Sequence, residues 1–348
     1  MKKLTYFFVF TAMLIAGSAL TGCQNQAEID KEQKALWDSL SESKSISDDN
    51  FNLIKQRAEE GNATAMCNLG YCYTNGINVT ADKTIAFEWY KKAADKGSPI
   101  GQNFTAFCYA NGEGVEKDIN KAIEYFQRAV DQKDTDGMLN LAYLYTLEDE
   151  PSTFNPHKAV ELYQQAADLG DAKGFLELGR LYLKGKGNIP ADPKKCIDNL
   201  TQAANKDNAM SCGLLAGLYM GYGQSKEFSA FPTDTVKGFE YLKKGAELGD
   251  SYSQSALGIE YADGTKIPKD NKKAIYWLKK ASDKGDSAAQ YYMAIYYYYG
   301  TDIEQNTDSA RLLLMNSAGQ GNEMALRVLQ GTFPEDYQHL MQMFNYMN

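Results

Sequence analysis

Small and apolar residues recur along this chain with a period of about 36 residues. Aligned on the pattern small-x-x-x-Leu-small-x-x-Tyr, residues 62–321 divide into seven segments. Counted from the first residue of each segment, position 4 is Ala, Gly or Ser, position 9 is Gly or Ala, and position 12 is always Tyr. Positions 4, 8, 9 and 12 fall on one face of an α-helix, so each segment is predicted to begin with a helix that a neighbouring helix can approach closely, with the tyrosine filling the core. The predicted boundaries are 62–97, 98–133, 134–170, 171–207, 208–249, 250–285 and 286–321.

The second half of each segment predicts a second helix. Most segments carry a glycine after the first helix, such as Gly76 or Gly264, and glycine tolerates the positive φ of a helix end. A run such as Ala86-Trp89-Tyr90-Ala93 then repeats small and aromatic residues at helical spacing. One hairpin cannot bury its apolar face alone, whereas stacked hairpins can. The predicted fold class is therefore all-α: an α/α right-handed superhelical solenoid of seven helix-hairpin repeats, with a concave face lined mainly by first helices.

The segments outside the repeats have their own signatures. Residues 1–22 combine Lys2-Lys3 with an apolar run, which predicts a secretory signal. Residues 47–61 are predicted to form an N-terminal capping helix, and residues 322–348 C-terminal capping helices and a tail. Leu20-Thr21-Gly22-Cys23 resembles the lipobox of bacterial lipoproteins. This resemblance implies lipid attachment at Cys23, an anchor and polar tether over 23–46, and a place in the cell envelope, with Gln24 favouring the outer membrane.

Two stretches carry a more specific resemblance. They are Leu69-Gly70 followed by Ala86-Phe87-Glu88-Trp89-Tyr90-Lys91-Lys92-Ala93-Ala94, and Leu257-Gly258 followed by Trp277-Leu278-Lys279-Lys280-Ala281. Both resemble the Sel-1-like repeat, a relative of the tetratricopeptide repeat. The resemblance implies a scaffold for protein–protein contacts. Because the repeats carry no catalytic constellation and the lipobox implies an anchor, we expect a monomeric, non-catalytic, lipid-anchored adaptor of the bacterial cell envelope that binds a peptide or protein on its concave face and needs no cofactor.

The amino-acid composition argues against several classes of function. The formal net charge of −9, from 36 basic and 45 acidic residues, argues against nucleic-acid binding, which needs a positive surface. The two histidines, His157 and His339, argue against a His-based metal site or acid–base catalysis. Two further hypotheses stay open: a cell-wall or β-lactam-directed hydrolase or binding protein, by analogy with some secreted proteins with this repeat, and a glycan-binding accessory protein, suggested by the 24 tyrosines. In the cluster around Tyr297, Tyr292 and Tyr299 are the candidates for lining a groove.

The candidate partner-binding residues lie at positions 3, 7, 10 and 14 of the first helices, away from the core positions. Amide and aromatic side chains there suit an extended peptide, because amides satisfy its backbone and rings cover its apolar atoms. The predicted residues are Asn68, Tyr71, Phe107, Asn140, Tyr143, Glu177 and Arg180. The fifth segment is about six residues longer than most. Its extra residues, which include Tyr222, Phe228 and Phe231, are either a contact loop or a loop that has drifted in sequence without a function.

Five cysteines remain besides Cys23: Cys67, Cys72, Cys108, Cys196 and Cys212. Cys72 and Cys108 occupy the same position in adjacent repeats. Neighbouring helices usually lie about 8–10 Å apart, and a disulfide needs α-carbons within about 7 Å. Two buried thiols are therefore favoured over a disulfide, and the disulfide stays open as the alternative.

Overall fold

The computed structural model describes residues 46–221 and 231–347. The helices fall into two compact units, which we call unit 1 (Met1–Leu169) and unit 2 (Gly170–Asn348). The predicted signal, anchor and tether, with Cys23, lie outside the described residues. In the described ranges, no helix is both long and apolar enough to cross a bilayer.

Unit 1 holds a leading helix and three hairpins. Its helices are α1 (Asp48–Glu59), α2 (Ala63–Asn75), α3 (Lys83–Asp95), α4 (Pro99–Asn111), α5 (Ile119–Asp131), α6 (Thr135–Tyr145) and α7 (Pro156–Asp168). Each even-numbered helix is the first helix of a repeat and packs against the odd-numbered helix that follows it.

Unit 2 holds four hairpins and two closing helices. Its helices are α8 (Ala172–Lys184), α9 (Pro193–Asn205), α10 (Ala209–Met220), α11 (Thr235–Glu247), α12 (Ser251–Asp263), α13 (Asn271–Asp283), α14 (Ser287–Tyr299), α15 (Thr307–Gly319), α16 (Glu323–Thr332) and α17 (Pro334–Met347). The all-α fold of helix hairpins predicted from the sequence is confirmed.

Short polar side chains start the repeat helices. In α2, the Asn62 Oδ1 atom accepts a hydrogen bond from the Ala65 N–H at 2.8 Å, and in α5 the Asp118 Oδ1 atom accepts one from the Lys121 N–H at 3.0 Å. Such caps satisfy backbone N–H groups that the helix itself leaves without partners. Glycine ends several first helices, including Gly76 in the left-handed region. Repeat 3 lacks this glycine, and its first helix α6 stops earlier, at Tyr145.

The core lies along positions 4, 8 and 9 of the first helices. Every residue at these positions is buried in all seven repeats, as the sequence predicted. Leu69 and Leu141 in unit 1 and Leu215 and Leu257 in unit 2 are at most 1% exposed. The small residues bring backbones together: a Cβ atom added to Gly101 would lie 2.6 Å from the Ala94 nitrogen. Position 4 is therefore small because a neighbouring second helix occupies the space beside it.

The tyrosines at position 12 confirm the sequence prediction only in part. Tyr109 and Tyr219 are buried, at 7% and 9% exposed, but the other five are only partly buried. The backbone carbonyl of each accepts a hydrogen bond from the residue that caps the second helix, as Tyr109 does from Asp118 at 2.9 Å. In repeats 2 to 6 a lysine lies over the ring, such as Lys121 over Tyr109 at 5.1 Å. These tyrosines thus join the two helices of a hairpin at its edge, where lysine and water reach the ring.

Candidate functional site

We use the name outward row for positions 3, 7, 10 and 14 of a first helix. At 100° per residue these four positions fall within about 60° of one another around the helix. Positions 3, 10 and 14 are at least partly exposed in all seven repeats, whereas position 7 is buried in repeats 1 and 2. The outward rows therefore form a reachable surface on each unit.

The predicted residues of unit 1 differ in how far a partner could reach them. Tyr143 is 40% exposed, and Tyr71, Phe107 and Asn140 are partly buried. Asn68 is fully buried, at 0% exposed, so its side chain belongs to the core and is out of reach of a partner. The cause is that position 7 of repeat 1 is covered by neighbouring residues, which the helical spacing alone does not reveal.

Two amides at position 14 of unit 1 are not among the residues predicted from the sequence. The Asn75 Nδ2 group donates to the Tyr71 carbonyl at 2.9 Å, and the Asn111 Nδ2 group donates to the Phe107 carbonyl at 3.1 Å. Each hydrogen bond holds the amide beside the aromatic residue of its own row. Helices α2 and α4 contain no charged residue. These rows therefore present rings and oriented amides without ionic groups.

The row of α8, the first of unit 2, is charged. Arg180 Nη1 lies 3.3 Å from Glu177 Oε1, and the two side chains are 53% and 24% exposed. Burial raises the pKa of Glu177, and the Arg180 charge and hydrogen bond oppose this shift. Lys173 and Lys184 occupy positions 3 and 14 of the same row, and neither is among the residues predicted from the sequence.

The rows of α10, α12 and α14 are largely apolar. Met210 is 46% exposed, Tyr252 48% and Tyr299 69%. A Cβ atom on Gly217 would lie 3.6 Å from the Tyr252 hydroxyl, so that hydroxyl borders the gap left by the missing side chain. Carrying the register of the first four repeats into repeats 5 and 6 would have found Met210 and Tyr252 from the sequence.

The hydroxyl of Tyr292 faces a carboxylate. It lies 3.3 Å from Asp263 Oδ2 and 3.5 Å from Oδ1. Burial, followed by the charge of Asp263, raises the pKa of Tyr292 to about 12. The phenol donates to Asp263, and the two residues stand within the outward rows, at position 7 of α14 and position 14 of α12.

The predicted contact loop is only partly visible. Tyr222 and Phe228 lie outside the described residues. Phe231 is buried, at 6% exposed, in a cluster with Cys212 and Leu215. Its ring therefore stabilises the core of unit 2 and does not project toward a partner.

The five described cysteines are buried free thiols, Cys72 and Cys108 among them. Burial raises the pKa of Cys67, Cys72, Cys108 and Cys196 to about 12, and that of Cys212 to about 11. These thiols are unreactive while buried, because the thiolate is the nucleophile. Across residues 46–221 and 231–347, no three His, Cys, Asp or Glu side chains come together as a metal site would require.

Comparison with known proteins assigns the repeat. The model of the Sel1 repeat family matches residues 63–98, 99–134, 135–171, 176–208, 209–250, 251–286 and 287–322, well over half of the chain. Comparison with the curated proteins finds no match.

Two solved structures are similar in fold. The crystal structure of c5321, a protective antigen present in uropathogenic Escherichia coli strains displaying an SLR fold, is 25% identical with a TM-score of 0.55, and the match covers 84% of this chain and 66% of that one. A Sel1 repeat protein from Oxalobacter formigenes is 25% identical with a TM-score of 0.61, and the match covers 88% of each chain. This chain therefore spans just under two thirds of the length of the first relative.

Sel1 repeat proteins are generally scaffolds for protein–protein interactions and are typically not enzymes. The repeated small residues, the buried positions 4, 8 and 9 and the family matches agree along residues 63–322. This chain belongs to the Sel1 repeat family.

Proposed function

We propose that this protein is a non-catalytic adaptor that binds a protein or peptide through the outward rows of its first helices. The observation that carries the proposal is the combination of exposure and chemistry in these rows. Tyr143, Tyr252 and Tyr299 are each at least 40% exposed. Large rings give much contact area for little loss of side-chain entropy, which favours aromatic residues at protein interfaces.

The amides of unit 1 support an extended peptide as the ligand. Asn75 and Asn111 each use an Nδ2 hydrogen to bond their own helix. An amide held this way keeps lone pairs on its oxygen for a backbone N–H of a partner. Rings beside these amides would cover the apolar side chains of the same peptide.

The place of action is a second part of the proposal. We infer that the protein is a monomer anchored in the bacterial envelope by lipid at Cys23, with the outer membrane as its site. The support is the positive and apolar stretch before Leu20-Thr21-Gly22-Cys23. Two acyl chains suffice for stable anchoring. Replacement of Cys23 by alanine is expected to move the protein from the membrane fraction to the soluble fraction, and equal membrane recovery of both forms would contradict lipid attachment there.

The binding proposal is tested with partners captured from detergent-solubilised envelopes. The full chain is compared with the double variant Tyr71→Ala/Tyr143→Ala, and proteins recovered by both are quantified by mass spectrometry. Tyr276→Ala is the matched control, because Tyr276 is 53% exposed but lies on a second helix. We expect the double variant to lose a partner that the control retains. Equal recovery by all three proteins would overturn the role of the unit 1 rows.

A further inference from the structure

Helix α8 differs in charge from the other first helices of unit 2. It carries Lys173, Glu177, Arg180 and Lys184, whereas α10 and α14 contain no charged residue. All four charged residues of α8 stand at positions 3, 7, 10 and 14. The charge is therefore confined to the outward row, where it gives a net charge of +2 when Glu177 is ionised.

The charge of this row is opposite in sign to the net charge of the protein. The formal net charge of the protein is −9. Arg180 is more exposed than its partner Glu177, at 53% against 24%. Lys184, one turn further along, is also exposed. The guanidinium and ammonium groups thus extend beyond the carboxylate and can reach a ligand.

The helix that carries the positive row shares a core with the helix that carries the next, apolar row. Leu176 of α8 shares a core cluster with Cys212 and Leu215 of α10, and Leu214 packs against the same cluster. The next row begins with Tyr252, whose hydroxyl borders Gly217 of α10. A ligand that runs from α8 to α12 therefore meets cations first, then Met210 and Leu214, then an exposed ring.

We propose that the outward rows of α8, α10 and α12 bind an acidic peptide segment, in which carboxylates that pair with Arg180 and Lys184 precede aliphatic or aromatic side chains that cover α10 and α12. This inference rests on the proposed adaptor function and specifies the chemistry of its partner in unit 2. Arginine binds carboxylates with two parallel hydrogen bonds, which fixes the register of a peptide as well as its polarity.

The two parts of the surface have separate roles. Exposed cations speed the approach of an acidic partner and reject a basic one, and salt weakens this effect. The apolar rows supply contact that does not depend on salt. Binding should therefore weaken with rising ionic strength and still retain a salt-independent part.

The test uses the full chain in detergent and a phage-displayed library of random 16-residue peptides. Selection is run against the wild type, against the charge-reversal variant Arg180→Glu/Lys184→Glu, and against the control Lys194→Glu/Lys272→Glu. The control makes the same change of net charge on exposed residues of second helices. Circular dichroism and thermal unfolding establish that all three proteins are folded.

We expect peptides from the wild type and the control to be enriched in Asp or Glu followed by apolar residues. The charge-reversal variant should bind these peptides at least roughly tenfold more weakly and should select basic peptides instead. Selection of peptides without acidic residues, with equal affinity for all three proteins, would overturn this inference and leave the adaptor proposal standing. If no peptide is selected by any of the three, peptide binding itself is refuted, and the inference falls with it.

Discussion

Units 1 and 2 are built from the same hairpin but present different outward rows. In unit 1 the rows of α2 and α4 carry rings and amides and no charge. In unit 2 a charged row on α8 is followed by largely apolar rows on α10, α12 and α14. The buried positions 4, 8 and 9 are alike in both units.

The difference separates two kinds of constraint. A residue at position 4 or 9 must leave room for a neighbouring helix, so a larger side chain displaces backbone, as at Gly101. An exposed residue in an outward row, such as Tyr143 or Met210, faces solvent and can change at little cost to stability. The fold can therefore be inferred from the core positions, and the binding chemistry of each unit from its outward rows. If this separation holds, equivalent substitutions at core positions should have equal effects in the two units, and substitutions in the rows should not.

The largest expected effect is the low reactivity of the buried thiols in both units, compared with the same thiols in the unfolded protein. At pH 8, thiols such as Cys72 and Cys108, with a pKa of about 12 instead of 9.0, hold roughly a thousandfold less thiolate than an unperturbed cysteine. Cys212 in unit 2, whose pKa burial raises to about 11 and whose side chain is 0% exposed, should likewise react far more slowly in the native protein than in the unfolded one. Pulsed iodoacetamide labelling with mass spectrometry measures each site, with urea-unfolded protein as the control. Labelling of native Cys108 at the unfolded rate would contradict its burial.

Truncation of a core leucine should lower the free energy of unfolding equally in the two units. Leu141→Ala in unit 1 and Leu257→Ala in unit 2 each remove a side chain that is at most 1% exposed, and each is expected to lower the free energy of unfolding by about 2–5 kcal/mol. Leu312→Ala is the control, because Leu312 is 62% exposed. Urea unfolding followed by circular dichroism measures all three. A loss below about 1 kcal/mol at only one of the two leucines would show that the cores differ.

Substitution of two helical glycines tests the distinction between core positions and outward rows. Gly101→Ala places a Cβ atom 2.6 Å from the Ala94 nitrogen, and we expect it to lower the free energy of unfolding by about 1–3 kcal/mol. Gly217→Ala has its nearest neighbour at 3.6 Å, so the higher helix propensity of alanine should raise stability by about 0.5–1 kcal/mol. Thermal unfolding measures the change in stability of both variants. A change of the same sign in both would refute the assignment of position 4 to the core and of position 10 to the surface.

The smallest effect is expected at the helix caps and should be equal in the two units. The Lys121 backbone N–H lowers the pKa of Asp118 in unit 1, and the Lys273 backbone N–H does the same for Asp270 in unit 2. Since each folded pKa is lower than the unfolded one, this stabilisation is complete above the unfolded pKa and is lost as the pH falls through the folded pKa. Stability should therefore decrease below about pH 4.

Asp118→Asn and Asp270→Asn keep a capping side chain and remove the charge. Each variant should lose less stability than the wild type between pH 5 and pH 2, measured by unfolding at a series of pH values. A wild-type slope retained in both variants would assign the acid sensitivity to other carboxylates.

Much of the fold could be predicted because its causes are local. Capping by Asn62 or Asp118 depends on a residue three positions away. The small residues at positions 4 and 9 recur in every repeat because each hairpin meets the same kind of neighbour. The candidate site was predicted less completely. The register identified Tyr143 and Arg180, while Met210 and Tyr252 were missed although they occupy the same rows.

The sequence alone determined the repeat, its helices and the burial of positions 4, 8 and 9, because helical period and caps act within one hairpin. Only the tertiary structure decided which outward positions a partner can reach. Asn68 and Asn140 share position 7, yet Asn68 is fully buried and Asn140 is partly exposed. Phe231 is buried in the core of unit 2, and a lysine covers the position 12 tyrosine in five repeats. Burial depends on side chains supplied by other helices, and that contribution is absent from the pattern of any single repeat.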